Sequence, residues 1–198
     1  MRTCFIGDSF VNGAGDNECL GWVGRISAAA RKQGHDVTAY NLGVRRDTSA
    51  DIAMRWRQEA ELRLPETCDG RLVFSFGTND CCLGDDGKVR VPHKHSLDNA
   101  EAVLLAAMAW RPTLMIGPLP VGDDPATDER VRELSEALGA LCTKLGVPYL
   151  EVFSAMASNE AWRREAASGD GTHPNMEGYV ALAYMIGNWS AWRAWFKA

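Results

Sequence analysis

Short apolar runs without helical period alternate along this chain with longer stretches whose apolar residues recur every three or four positions. Residues 2–6 form the first run, which reads as a short buried strand broken by Gly7. Residues 20–33 follow with Trp22, Val23 and Ile26 on one face, a helix ended by Gly34. A strand over 37–42 closes at Gly43. In 48–64, Ile52, Trp56, Ala60 and Leu64 repeat every four residues, Thr48 or Ser49 can cap the helix, and Pro65 stops it. Residues 72–76 (Leu-Val-Phe-Ser-Phe) have the composition of a central strand.

Residues 81–95 lack any period and carry Gly84, Asp85, Asp86, Gly87 and Pro92, which predicts a long surface loop and a candidate substrate rim. Ser96 is placed to cap a helix reaching about Ala109, with Leu97, Val103, Leu104 and Met108 inward. A fourth strand spans 113–117 and runs into Pro118-Leu119-Pro120; a long amphipathic helix over 128–145 ends at Gly146; a fifth strand covers 148–153. A short helix at 160–167 precedes a polar turn, and Pro174 suits the first turn of a last helix running to about Phe196. Such alternation predicts an α/β fold, a parallel sheet with helices on both faces. No repeat, linker or low-complexity segment divides residues 1–198, so a single domain is expected.

Composition narrows the function classes. The 198 residues suffice for a full core, and 46% hydrophobic with 24% charged residues is ordinary for a globular chain. A net charge of −5 argues against a nucleic-acid partner, for which a basic stripe is expected. No apolar run reaches the roughly 18 residues of a membrane span. With Met1 as the start and the first strand opening at Arg2, no signal peptide is visible and a cytoplasmic location is expected. Six cysteines without CxxC spacing fit reduced thiols, with Cys4 and Cys142 in apolar segments and Cys81-Cys82 as spare loop thiols.

The chemistry gathers at the strand ends. In a parallel sheet all carboxyl ends lie on one edge, and here they carry Asp8-Ser9, Gly43, Asn79-Asp80 and the 118–120 turn. Taken alone, Asp8 and Ser9 fit a plain capping turn. Asp170 and His173 arrive on a loop able to fold over the same edge. Three residues apart on a tight turn, a carboxylate can accept from imidazole Nδ1–H, which fixes the tautomer and leaves Nε2 to face a serine. That completes a set for acyl transfer: Ser9 as nucleophile, His173 as base, Asp170 as orienting acid. The candidate oxyanion donors are the Ser9 N–H, the Gly43 N–H and the Asn79 side-chain amide.

Together, Gly7-Asp8-Ser9-Phe10, Asn41-Leu42-Gly43, Gly77-Thr78-Asn79-Asp80 and Asp170-Gly171-Thr172-His173-Pro174 resemble the GDSL, or SGNH, hydrolase family. The four marker residues Ser9, Gly43, Asn79 and His173 stand in the family's order. The resemblance implies a three-layer, flavodoxin-like fold with five parallel strands, Asp170 paired to His173, and esterase- or lipase-type hydrolysis of a small-molecule ester without a metal or cofactor. Phe10 stands where the family's name-giving leucine does. No GxSxG elbow is present, against the α/β-hydrolase alternative. Acyl-thioesterase and lysophospholipase activities use the same triad. A flavodoxin-like binding protein is the non-enzymatic alternative, but 7–13 is too acidic for a phosphate loop.

The remaining candidates have simpler readings. Asp80 is expected to act structurally. His93 and His95 have metal-like spacing but no third ligand in view. His35 is expected in solvent. Trp189, Trp192 and Trp195 form a stripe expected to dock on the core, with a dimer or lipid contact as the sharper alternative. Arg45 and Arg46 read as a solvated loop pair or a hold for an anionic substrate group.

Overall fold

A computed structural model describes residues 1–196. Five parallel strands form one sheet in the order β2-β1-β3-β4-β5: β1 Arg2–Gly7, β2 Thr38–Gly43, β3 Gly70–Ser75, β4 Thr113–Ile116 and β5 Tyr149–Leu150. The order reverses at β1: the chain steps to β2 on one side and returns to β3 on the other. A crevice for ligands opens at such a switch point, beyond the strands' carboxyl ends.

Alternate residues of the central strands feed two cores, because successive side chains leave a strand on opposite faces. Cys4, Ile6, Leu72, Phe74 and Met115 enter the core shared with α3 (Ser49–Glu61), α5 (His93–Met108) and α6 (Pro125–Leu145). Phe5, Val73, Leu114 and Ile116 enter the other, shared with α2 (Gly21–Lys32), α8 (Glu160–Ser168) and α9 (Met176–Asn188). Burial on both faces explains why these strands read as apolar runs and not as alternations. The three-layer fold expected from the sequence is present.

Several boundaries differ, each for a local reason. Helix α5 starts at His93, so Ser96 is not its cap; it lies inside the first turns, buried, with its hydroxyl reaching back to Pro92 O. Residues 81–95 are shorter as a loop than expected, because α4 (Thr78–Cys81) takes one end and a bridge between Leu83 and Val89 folds the rest into a tight turn. Cys81 is therefore buried, not a spare loop thiol; all six cysteines are free. Helix α6 begins earlier, with Asp124 accepting from Ala126 N and Thr127 N and Pro125 in the first turn. The fifth strand keeps only two residues, since α7 (Phe153–Ser158) claims its distal end. Pro174 lies outside α9, which Asn175 caps. Trp189 leaves helical geometry (ψ 128°) and breaks the last helix, so that α10 (Ser190–Ala194) follows at a new angle. The break lets Trp192 bury against Phe5, with Trp189 and Trp195 half-buried beside it, so the tryptophan stripe docks on the core. His35 is half-buried against the Phe196 ring, 4.6 Å between centroids, and not in open solvent. No helix among the described residues is long and apolar enough to cross a membrane.

Candidate active site

Strand β1 ends at Gly7, and Asp8 turns the chain into the one-turn helix α1 (Ser9–Asn12). Asp8 Oδ1 accepts from Phe10 N at 3.0 Å, the capping role foreseen for a plain turn. Ser9 takes the first helical position, where a backbone N–H has no intrahelical acceptor. Capping and presentation of the serine are thus one arrangement.

His173 reaches Ser9 from the loop between α8 and α9. Its Nε2 lies 2.7 Å from Ser9 Oγ, and its Nδ1 lies 2.7 Å from Asp170 Oδ2. Asp170 Oδ1 accepts from His173 N at 2.8 Å and from Thr172 N at 3.0 Å, which closes the turn that three-residue spacing predicts. Burial works to raise the Asp170 carboxyl, but these two amides and the imidazole outweigh it and hold it at about 2. An ionised carboxylate only accepts, so Nδ1 carries the ring proton and Nε2 offers its lone pair to the serine hydroxyl. The ring is 9% exposed and lies 4.9 Å from the Phe10 ring, which in turn stacks on Trp162. The phenylalanine at the leucine position therefore walls the imidazole. Gly15, at φ +88°, passes so close to His173 and Pro174 that a Cβ there would overlap both.

Gly43 ends β2 in register with Gly7. A side chain at Gly43 would overlap Asn12 N and Asp8 O, so the second strand end can approach the serine helix only as glycine. The Gly43 N–H is not free in the resting protein: it donates to Asn41 Oδ1 at 3.0 Å, while Asn41 Nδ2 donates to Val11 O at 2.8 Å. Asn79 sits in α4 just beyond β3, the strand beside β1. Its side chain is half-buried and makes no hydrogen bond with another described residue. Thr78 fixes that helix start by exchanging bonds with Leu119, Oγ1 to O at 2.8 Å and N to Oγ1 at 3.0 Å.

Asp80 is structural, as expected: fully buried, its Oδ1 accepts from Ser49 N at 2.7 Å at the start of α3. Burial raises its carboxyl. Burial and the neighbouring Asp80 and Asp47 charges also raise Asp8, against the Phe10 amide, to about 7. Arg45 extends over the site edge, its Nη2 4.0 Å from Asp170 Oδ2, while Arg46 turns out at φ +70°. Among the described residues no group of three His, Cys, Asp or Glu side chains converges as a metal site, and His93 and His95 are exposed on the first turn of α5.

The sequence reading missed the role of Asn41, whose motif it quoted, and missed Arg55 altogether. Asparagine two residues before glycine was a signal for the first, since such side chains bond the backbone two residues on. For Arg55 the signal was a charge on the inward stripe of Ile52, Trp56 and Ala60.

The sequence pattern of the GDSL-like lipase/acylhydrolase family matches residues 5–181, and the chain belongs to that family. Solved structures share its fold. A lipase/acylhydrolase from Enterococcus faecalis superposes with TM-score 0.78 at 22% identity over 97% of this chain and 96% of that one. A lipolytic G-D-S-L family protein from Veillonella parvula gives 0.71 at 19%, over 94% and 96%. An acetylxylan esterase from Geobacillus stearothermophilus gives 0.75 at 15%, over 96% and 95%. The family match and the solved relatives support a carboxylic ester hydrolase. No curated protein matches the chain in sequence.

Proposed function

We propose that the protein hydrolyses carboxylic esters through an acyl-enzyme on Ser9. The observation that carries this reading is the unbroken chain from Ser9 Oγ through His173 to Asp170, both links 2.7 Å. Ser9 Oγ attacks the ester carbonyl as His173 Nε2 takes its proton. Asp170 stays ionised, holds the ring and stabilises the imidazolium. Negative charge develops on the carbonyl oxygen, where the Ser9 N–H, the Gly43 N–H and the Asn79 amide donate. The Gly43 N–H serves by sharing or leaving Asn41 Oδ1, a neutral acceptor weaker than an oxyanion. The imidazolium then gives its proton to the departing alcohol. Water, activated by the same imidazole, attacks the acyl-enzyme and releases the acid. Every proton passes through one ring, and no step calls for a cofactor.

A serine-directed phosphonate tests this directly. Labelling mapped to Ser9, with loss of hydrolysis in step, is the expected result; a labelled protein that keeps hydrolysing esters contradicts it. A chain-length series of p-nitrophenyl esters beside an acyl thioester then sorts short-acyl esterase from thioesterase and long-chain activity. We expect short acyl groups to be preferred, since the candidate rim over 81–95 is polar and charged.

A further inference from the structure

Arg55 occupies the second turn of α3, with its side chain only 18% exposed. Its guanidinium spans two strand ends. Nη2 donates to Gly7 O at 2.9 Å and Nη1 to Leu42 O at 3.0 Å. Two carboxylates anchor the fork from behind: Asp47 Oδ2 takes Nε–H at 2.5 Å and Glu59 Oε2 takes Nη1–H at 3.1 Å. Gly7 O also accepts from Val44 N at 3.0 Å, so the ends of β1 and β2 are tied at the point where they deliver Ser9 and Gly43.

The choice of Leu42 O is chemically specific. That oxygen belongs to the peptide group whose N–H is the Gly43 donor. A hydrogen bond at the oxygen of a peptide draws electrons through the amide and makes its N–H a stronger donor, by about 10–30% per bond. A cationic donor acts more strongly than a neutral one, and low exposure limits screening by water. We infer that Arg55 is a positioning residue of the oxyanion hole, clamping the ends of β1 and β2 and polarising the Leu42–Gly43 peptide toward the carbonyl oxygen of the substrate. It touches neither substrate nor Ser9. Lysine cannot replace it, because one ammonium cannot present two coplanar N–H groups to two carbonyls. In the resting protein Asn41 Oδ1 receives the strengthened donor, and the nascent oxyanion competes for it.

The inference rests on the serine-hydrolase reading and is tested apart from it, in the full chain. Arg55→Gln is expected to lower kcat by about tenfold, less than the 10²–10³ typical of losing a donor outright. KM should stay within about twofold, and the acid limb of the pH profile should not move. The Gly43 amide proton resonance should shift upfield, a change that general loosening of α3 does not predict. Arg55→Lys decides if Arg55→Gln does not fold: it keeps the charge, yet kcat should still fall and the Leu42 carbonyl carbon should shift. Unchanged kcat, a loss confined to KM, or an unmoved Gly43 amide overturns the inference. Asn79→Ala and Ser9→Ala run in parallel separate the failures. A slow Asn79→Ala beside a normal Arg55→Gln removes only the role of Arg55, whereas an active Ser9→Ala removes the serine mechanism itself.

Discussion

Ser9 is an ordinary hydroxyl whose reactivity depends on what surrounds it. Its Oγ faces an imidazole with a fixed tautomer, and its N–H lacks a helical acceptor. Ser9→Ala is expected to abolish ester hydrolysis with an unchanged thermal transition, because Ser9 caps no core contact; residual turnover above a trace excludes it as nucleophile. Asp170→Asn keeps the shape but offers an amide that can turn its donors to the ring, favouring the wrong tautomer. A loss of about 10³–10⁴ in kcat is expected, read at saturating ester. The wild-type Asp170 carboxyl, held at about 2, stays ionised across the working range. Asp170 protonation therefore sets no limb of kcat/KM in that range, and an acid limb lying in the carboxylate range contradicts this. Asn79→Ala removes a donor used most in the transition state, so kcat should fall about 10²–10³ while KM stays within a few-fold. Near-normal kcat would leave Asn79 a turn residue.

At the scale of elements, short helices at strand ends decide where the chemistry sits. Helix α3 carries Arg55, and its start is fixed twice. Thr48 Oγ1 accepts from Asp51 N while Asp51 Oδ2 accepts from Thr48 N at 2.8 Å, a capping box, and Asp80 Oδ1 takes Ser49 N–H. Thr48→Ala is expected to destabilise the fold by about 1–2 kcal/mol, read as a lowered urea midpoint with unchanged slope. Legibility from sequence followed the same division. Strands were readable where both faces are buried, as at 72–76, and helices where one apolar stripe persists, as at 48–64. The placement of Ser9, Gly43, Asn79 and His173 at the carboxyl edge of the sheet was readable because strand ends and the 170–174 turn fix their neighbourhood locally. The start of α5, the shortness of β5 and the break at Trp189 were not. β5 is cut short by α7, which follows it directly, whereas the other two are set by packing against parts distant in sequence, as Ser96 sinks into the core and Trp192 turns in toward Phe5. Arg55 was hidden for the same reason, since its partners Gly7 and Leu42 lie 48 and 13 residues away.

For the molecule as a whole, the catalytic edge places a carboxyl where ionising it opposes folding. Asp8 is 2% exposed, and burial together with the Asp80 and Asp47 charges raises it to about 7, against the Phe10 amide. In the unfolded chain the same group titrates near 3.9. Between those values the native state binds more protons than the unfolded one, so stability falls as pH rises through the interval and levels off above it. Asp80, raised by burial, acts in the same direction. Asp170 acts oppositely: its depressed carboxyl contributes stability above about pH 4 that is lost as pH drops toward 2. Asp8 and Asp80 thus oppose folding as pH rises, and Asp170 favours it. Asp8→Asn tests the larger contribution, because asparagine caps helix starts about as well as aspartate and carries no titrating proton. Thermal transitions recorded from pH 4 to 8 should decline in the wild type and decline less in Asp8→Asn, which should gain most near pH 8. Each unit of displacement corresponds to roughly 1.4 kcal/mol, so a difference of a few degrees is within reach of calorimetry. Parallel curves for the two proteins would mean that Asp8 stays ionised in the native state, held by the Phe10 amide against its surroundings.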